Sequence, residues 1–574
     1  MIDFKDQIGH ILNDAINKED VIISLEEIIK TIERPPSYDM GDYAFPCFLL
    51  AKAFRKAPNQ IAEDLKASME SSIVERVEAQ GPYLNFFVDK KVLAKEVLGE
   101  VKAKKENFGS SDMGRGKKVL VEYSSPNIAK PFHIGHLRST VIGDSIKRIF
   151  AFLGYYTMGL NHLGDYGTQF GMLIEGINRY GIKKEDIEED PIPKLLDIYV
   201  RINEEAENSD EVMAACRDAF AQLENGKEDY VKLWEWIKEV SLKEFQRVYR
   251  MLDISFDDIK GESFYRDKLK TEVDRIKEKD ILVDKDGAYA VDLEAYKLPN
   301  PVVLKSNGSS MYMTRDIATA AYRHRTYEPY KSLYVVASEQ RLYFEQLKAV
   351  LKEMGYDWYD EMGHVQFGLV SLKEGSLSTR KGRVVYLEDV LNQAKDRVMA
   401  ILDEREEERG REIENKEDLA ATIGIGAIKF QELFNQRIKD YVFDWDTSLS
   451  FEGETGPYVQ YTHARISSIL TRAGFDEEED FDPGLLVEEG EINLLRTLYG
   501  FTDAVIEAHE KYEPYIVTRY VTKLAQEFNS YYNTTQILTG DENLKKARLM
   551  LAYGVKLAIK NGLGLLGIGA PERM

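Results

Sequence analysis

The sequence predicts an α/β protein built around a parallel sheet, with a helical insertion in the sheet, a small α/β unit before it and an all-helical bundle after it. Three observations predict this. Strand, loop, helix and strand follow one another over 117–167, the opening of a parallel sheet. Strand and helix alternate again over 300–372. From about residue 400 apolar residues recur at helical spacing almost to the end. At 574 residues the chain exceeds what one hydrophobic core supports, so several domains are expected.

The first unit is drawn at 1–105. "FKDQIGHILNDAI" and "VIISLEEIIKTIE" have helical spacing, and "PPSYDMGDYAF" breaks it with turn residues. "APNQIAEDLKASME" is a further helix with Pro58 near its start, and "VERVEAQGPYLNFFVD" alternates as strands around Gly81-Pro82. "VKAKKENFGSSDMGRGKK" reads as a charged connector.

The sheet domain is drawn at 117–169 and 296–395. "KVLVEYSS" is a short β-branched strand. "HLRSTVIGDSIKRIFAFLG" is a helix whose apolar stripe is Leu137, Val141, Ile142, Ile146, Ile149, Phe150 and Leu153, with Gly154 at its C-terminal cap. "YYTMGLNHLGDYG" supplies the next strand and a glycine-rich end. Long acidic helices over 170–295 interrupt the rhythm and read as an insertion. Alternation resumes with "NPVVLKS", "TRDIATAAYRHRTY", "KSLYVVAS", "RLYFEQLKAVLKEMG" and "HVQFGLVSL". The bundle, 396–574, contains "DLAATIGIGAIKFQELFNQ", "GPYVQYTHARISSILTRAG" and "PYIVTRYVTKLAQEFNSYYNTTQIL".

Composition narrows the functional classes. Hydrophobic residues make up 44% and charged residues 30%, as in soluble globular proteins. No apolar stretch is long enough to span a bilayer, and "MIDFKDQIGHILNDAIN" is not a secretory signal. Cys47 and Cys216 stand far apart in no paired motif. Two buried thiols and a reducing, cytoplasmic compartment fit them better than a disulfide or a zinc ribbon. Net charge is −23, with a pI near 5.0. Nucleic acid is therefore not attracted by the molecule as a whole, and RNA binding requires a local basic track with strong salt dependence.

The richest stretch is "NIAKPFHIGHLRS" at 127–139. His133 and His136 fall between a strand end and a helix start, the edge where open α/β sheets bind ligands. A helix start offers unpaired N–H groups and a positive dipole end to an anion. Gly135 leaves room for close approach of a base or phosphate, and imidazole N–H groups can follow phosphate charge as it develops. Metal binding would need further ligands, and no nearby Cys, Asp or Glu stands at ligand spacing, so no metal is expected here. Lone histidines most often pack or face solvent; Asn127, Lys130 and Gly135 at the same strand mouth favour a phosphate-facing site.

"SSPNIAKPFHIGHLRSTVIGDS" and "NHLGDYGTQFG" resemble the arginyl-tRNA synthetases among the class I aminoacyl-tRNA synthetases, whose first signature matches "HIGH". The resemblance continues in "MYMTRDIATA", "STRKGRVVYLEDVL", "YVQYTHARISSIL" and "LAIKNGLGLLGIGAPERM", and covers nearly the whole chain. It implies a Rossmann-type catalytic domain, an N-terminal domain that touches the tRNA elbow and a C-terminal anticodon-binding bundle. It implies ATP with Mg2+ held mainly by phosphates, L-arginine and tRNA(Arg) as partners, no membrane, and a monomer. Arginine activation that requires tRNA is implied as well.

Residue by residue, the resemblance implies that Asp316 grips the guanidinium, Tyr312 lines its pocket four residues away on one helix face, and Gln340 closes it at a strand end. Glu122 and Asn127 match groups facing the amino-acid end, over a loop of Ser125, Pro126 and Asn127. His136 also borders arginine. In "EGSLSTRKGR" the family's basic loop is altered. Ser376 and Thr379 occupy the places of the two consensus lysines, around Leu377 and Ser378. Arg380 and Lys381 follow, and Lys130 is expected to supply the missing charge to the leaving pyrophosphate. Gln80, Tyr83 and Asn85 match the elbow-contact segment. Tyr458, Tyr461 and Arg465 put aromatics and a cation on a bundle helix, suited to unpaired bases and phosphate. Two rivals stand beside this reading: another HxGH adenylyl-transferring enzyme that uses no tRNA, and a synthetase-like RNA-binding protein without catalysis.

Overall fold

The computed structural model describes residues 1–16, 23–69, 71–306, 311–372, 386–410, 412–444 and 449–574. At the N-terminus, β1 (Tyr43–Pro46), β2 (Val74–Gln80) and β3 (Tyr83–Val88) form an antiparallel sheet in the order β1-β3-β2. The Phe4–Ile16 and Pro58–Lys66 helices belong to the same unit, and Pro58 stands in the first turn of the second. Phe45, Leu84 and Phe86 are buried in its core. The unit is fastened to the distant bundle. The Arg496 guanidinium donates to both oxygens of Asp42, at 2.6 and 3.2 Å, and Asp42 also takes the Val88 N–H.

The Lys90–Lys104 helix, capped by Asp89, runs into the connector expected from sequence, so the connector's first residues are helical. Then come β4 (Lys118–Glu122), β5 (Tyr156–Leu163) and β6 (Asp258–Gly261). A separate antiparallel sheet contains β7 (Leu282–Lys285), β8 (Ala288–Val291) and β9 (Val302–Leu304). β10 (Lys331–Ala337) and β11 (Met362–Phe367) complete the central sheet, whose order is β11-β10-β4-β5-β6 with every pairing parallel. The chain leaves β4 toward β5 on one side and returns to β10 on the other. Between β4 and β10 the winding therefore reverses, which opens a crevice at the carboxyl ends.

Two details differ from the sequence reading. β6 lies inside the stretch drawn as insertion yet pairs with β5 in the catalytic sheet. It is a four-residue strand after a 24-residue helix, with little periodicity of its own. β9, read as the resumed sheet, instead pairs antiparallel with β8. A three-residue strand takes whatever edge lies beside it, and the β7–β8 hairpin supplies one.

The insertion packs the Thr168–Tyr180, Pro191–Glu207, Asp210–Glu224 and Glu228–Met251 helices together. Cys216 is buried among them and Cys47 in the N-terminal unit, both as free thiols. The C-terminal helices include Leu387–Arg409, Lys416–Leu433, Gly456–Ala473, Tyr515–Thr534 and Glu542–Leu565. β12 (Val370–Leu372) pairs with β13 (Tyr441–Phe443) and ties the end of the sheet domain to this bundle. There Arg138, 1% exposed, meets Glu432, 0% exposed, at 3.0 Å, and the Tyr441 hydroxyl donates to the same carboxylate. Among the described residues no helix is long and apolar enough to cross a membrane.

Candidate active site

The Ile134–Phe152 helix begins at the crevice, with His133 as its N-cap. His133 Nδ1 accepts the Gly135 N–H at 3.1 Å, and His136 Nδ1 accepts the His133 N–H at 3.2 Å. Each ring thus spends its Nδ1 lone pair on the backbone. The proton of each neutral ring then belongs on Nε2. The rings lie 4.0 Å apart, and Phe132 stacks on His136. Burial lowers the pKa of His133, and Lys130 adds to the effect. Burial, then His133 and Lys130, bring His136 down to about 3. Two neutral Nε2–H donors stand at a helix N-terminus. A Cβ at Gly135 would meet the His133 ring at 2.8 Å, so glycine preserves the stacked geometry.

The loop that leads into this helix is strained. Ser124, Ser125 and Ala129 all have left-handed backbone, with φ of 71°, 46° and 60°. It is held by packing: Ser124 N–H donates to Ser139 Oγ, and Ile128 N–H to Gly164 O at 3.1 Å. Asn127 bridges Gly164, where a Cβ would sit 2.0 Å from Asn127 Oδ1. The glycine in "HLGDYG" therefore makes room for the asparagine. Pro126 is buried and its carbonyl accepts the Gly164 N–H, while Asn127 is exposed.

Across the crevice, Asp316 lies in the first turns of the Tyr312–Tyr327 helix, next to the mouth of β10. The Tyr343 hydroxyl donates to its carboxylate. Enclosure by protein raises the Asp316 carboxyl to about 7. The Tyr343 bond opposes the rise, and Glu122 and Glu262 add to it. The Arg323 guanidinium also opposes the rise, but Asp316 makes no ion pair among the described residues. Glu122, at the end of β4, is instead paired with the buried Arg323. Glu262 pairs with Arg315 at 3.1 Å. Gln340 is exposed at the N-cap of the Arg341–Glu353 helix, just beyond β10. Tyr312 is 70% exposed, and its ring lies 5.3 Å from the Arg315 guanidinium. Ser125 Oγ and His162 Nδ1 are buried polar atoms without a protein partner. Sequence reasoning missed His162, Tyr343 and Arg323. His162 had a signal, its place in "NHLGDYG" at a strand end. The other two reach the site only through tertiary packing.

At the opposite end, the Lys130 ammonium lies 6.0 Å from the Tyr199 ring and has no carboxylate partner among the described residues. Ser376, Leu377, Ser378, Thr379, Arg380 and Lys381 lie outside the described residues. The flanks of that segment are placed. β12 precedes it, and Arg138 donates to Leu369 O at 3.2 Å. After it, Tyr386 bridges His133 and Leu387 N–H donates to Phe132 O at 2.9 Å. Among the described residues no group of three or more His, Cys, Asp or Glu could hold a metal ion.

The expected RNA-facing residues lie in the N-terminal unit and on a C-terminal helix. Gln80 and Tyr83 flank the β2–β3 turn, and Asn85, buried, donates to Gln80 at 3.2 Å. Tyr458, Tyr461 and Arg465 share the Gly456–Ala473 helix, half-buried. Asn529 ties Tyr458 to Arg465, whose guanidinium lies 5.0 Å from the Tyr461 ring.

Residues 4–88 match the family described as "Arginyl tRNA synthetase N terminal domain", residues 98–445 "tRNA synthetases class I (R), catalytic domain", and residues 459–574 "DALR anticodon binding domain". The chain is 50% identical to the arginine–tRNA ligase of Clostridioides difficile and 48% identical to that of Halothermothrix orenii, each over 100% of both chains. Its structure is similar to that of Thermus thermophilus arginyl-tRNA synthetase, with a TM-score of 0.83 and 27% identity over 100% of both chains. The Plasmodium falciparum enzyme gives 0.82 and 28% over 99% of each.

Proposed function

The chain belongs to the arginyl-tRNA synthetase family, and from that premise we propose how its side chains divide the work. It is an arginine–tRNA ligase of class I. L-Arginine's carboxylate attacks the α-phosphate of ATP and displaces pyrophosphate. A hydroxyl of the 3′-terminal adenosine of tRNA(Arg) then attacks the carbonyl of arginyl-adenylate and releases AMP.

The observation that carries the assignment of roles is the opposed character of the crevice's two ends. At one end, Asp316 is an enclosed carboxylate with no ion pair among the described residues. A guanidinium supplies charge and paired N–H donors to such a group. Tyr343 orients the carboxylate, and Gln340 and Tyr312 stand at the rim. Glu122 acts as a pair with Arg323, shaping the pocket floor beneath Ser125, Pro126 and Asn127. At the other end, His133 and His136 offer Nε2–H groups to the phosphates, and Lys130 offers an unpaired cation. Activation places new negative charge on the α-phosphate oxygens and the leaving pyrophosphate. Fixed donors and a cation there stabilise the transition state more than the bound substrates. Lys130 takes the role of the absent second lysine of the basic loop, and Ser378, Thr379, Arg380 and Lys381 share the contact with the triphosphate. No protein nucleophile is needed; positioning and charge carry the reaction.

Mg2+ would enter with ATP and be held mainly by its phosphate oxygens and by water. The N-terminal unit meets the tRNA elbow through Gln80, Tyr83 and Asn85. The bundle meets the anticodon through Tyr458, Tyr461 and Arg465. The domains divide at 1–105, 117–169 with 296–395, 170–295 and 396–574, with β6 counted with the sheet. The chain works as a cytoplasmic monomer and activates arginine only with tRNA bound. ATP–pyrophosphate exchange with arginine, with and without tRNA(Arg), tests this. Exchange that depends on both arginine and tRNA is expected. Exchange indifferent to tRNA overturns the coupling, and no exchange under any condition overturns the assignment of roles.

A further inference from the structure

Arg138 stands two residues after His136 on the Ile134–Phe152 helix and is buried. Its guanidinium joins segments that are distant in the chain. It pairs with Glu432 at 3.0 Å, donates to Leu369 O at 3.2 Å and to Gln436 O at 3.4 Å, and lies 5.2 Å from the Tyr441 ring. Glu432 is near the end of the Lys416–Leu433 helix, and the Tyr441 hydroxyl donates to its other oxygen. These bonds do not rescue stray carbonyls. Leu369 O already accepts the Tyr441 N–H at 3.1 Å, and Gln436 O the Lys439 N–H at 3.0 Å. Nor is a buried ion pair a strong source of stability, because desolvation of two charges offsets their attraction. What a planar guanidinium with fixed donors supplies is register between the pieces it touches.

The next two side chains hold the same helix from other directions. Ser139 Oγ donates to Val335 O of β10 at 3.0 Å and accepts the Ser124 N–H of the strained loop. Thr140 Oγ1 donates to His136 O at 2.7 Å. Successive residues thus tie the start of the helix to the C-terminal helices, to the sheet and to His136 itself. The far side of the joint is fixed as well. Arg437 donates to Gln366 O and, at 3.0 Å, to Tyr512 O, and the Gly368 N–H donates to Arg437 O at 2.8 Å. Arg138 therefore grips a segment that is already held, and its own helix is the part whose place it decides.

We propose that Arg138 is a positioning residue for arginine activation: clamped between Glu432 and Leu369 O, it sets where the helix begins and so where the Nε2–H groups of His133 and His136 meet the phosphates of ATP. It is buried and acts through the imidazoles. The inference rests on the arginine–tRNA ligase reading and adds to it a residue outside the crevice on which the rate depends. A displacement of about 1 Å at the reacting groups costs about a hundredfold in rate, so a register error of that size at Arg138 is felt in kcat.

The test uses the full-length enzyme and ATP–pyrophosphate exchange at saturating tRNA(Arg). Tyr441→Phe removes one hydroxyl that steadies Glu432. Arg138→Met, Glu432→Leu and Tyr441→Phe together replace the cluster with apolar groups of similar size, an exchange that buried ion pairs tolerate in stability. The exchange kcat is expected to fall about fivefold in the single variant and about a hundredfold in the triple variant. KM for arginine stays at the wild-type value, and thermal melts stay within a few degrees of wild type. Added to His136→Ala, the triple substitution is expected to cost about tenfold less than it does alone, because one imidazole it positions is gone. Wild-type kcat in the triple variant overturns the proposal. A loss of the same size with and without the imidazole also overturns it, in favour of a merely structural role, as does a rise in arginine KM as large as the fall in kcat. Should the triple variant not fold, the same outcomes are read from Tyr441→Phe with and without His136→Ala. A wild-type enzyme that shows no exchange with arginine overturns the ligase reading instead, a result that needs no variant.

Discussion

The two ends of the crevice are built on opposite plans. The end that holds Asp316 is walled by paired groups, the buried Glu122 with Arg323 and the half-buried Glu262 with Arg315 and Tyr343 with Asp316. Asp316 among them makes no ion pair among the described residues, and burial raises its pKa to about 7. The phosphate end carries few internal pairs. Burial disfavours the charged form of both its imidazoles, and its lysine has no carboxylate partner among the described residues. One end is prepared before the substrate arrives. The other keeps donors and a cation unspent until charge develops. Specificity is therefore expected to reside at the first end and rate at the second.

Substitutions sharpen this division by what they move. The largest effect is expected from Asp316→Asn. It removes the charge that a guanidinium needs and leaves its donors short of partners, so kcat/KM for arginine falls about a thousandfold. The same residue gives a pH signature. In the free enzyme Asp316 holds a proton below about 7 and must lose it before arginine can pair. Wild-type kcat/KM for arginine thus falls as pH drops through that value, about tenfold per unit well below it, while kcat at saturating arginine changes little over the same range. Asp316→Asn flattens the profile. A flat wild-type profile between pH 6 and 8 would break the account of this end.

His136→Ala is expected to lower kcat about a hundredfold or more with little change in arginine affinity, because one donor to the developing phosphate charge is gone. Single-turnover adenylate formation separates that loss from binding. A rise in arginine KM as large as the fall in kcat would erase the distinction between the two ends. Gly164→Ala is the mildest. The new Cβ displaces Asn127, whose Oδ1 lies 2.0 Å from its place, and shifts a loop shared by both ends. A fall in kcat/KM of about tenfold, with unfolding within a few degrees of wild type, is expected from kinetics and thermal melts.

Much of this was legible in the sequence because it is local. The strand–loop–helix at 118–152 carries its own periodicity, and the histidines fall at its turn. The places of Asp316 at a helix start and Gln340 beyond a strand end were legible, while their roles came from resemblance. What was hidden depends on contacts between distant segments. Glu122 was expected to face the amino-acid end of the substrate; Arg323, some two hundred residues on, pairs with it. Tyr343 has no local signal for its bond to Asp316, which lies on another helix. β6 and β9 are too short to show which sheet they join. The positive φ values at Ser124, Ser125 and Ala129 have no composition signal, since none is a glycine. Resemblance supplied the roles that local pattern could not.

The contrast between the ends turns on Lys130, the one described cation beside the two imidazoles that no carboxylate claims. The direct measurement is ATP–pyrophosphate exchange by Lys130→Ala with saturating tRNA(Arg), read beside arginine binding at equilibrium. Exchange slowed about a hundredfold or more, with arginine affinity unchanged, is the predicted result. Exchange at the wild-type rate would contradict it and return the missing charge to the segment between Leu372 and Tyr386.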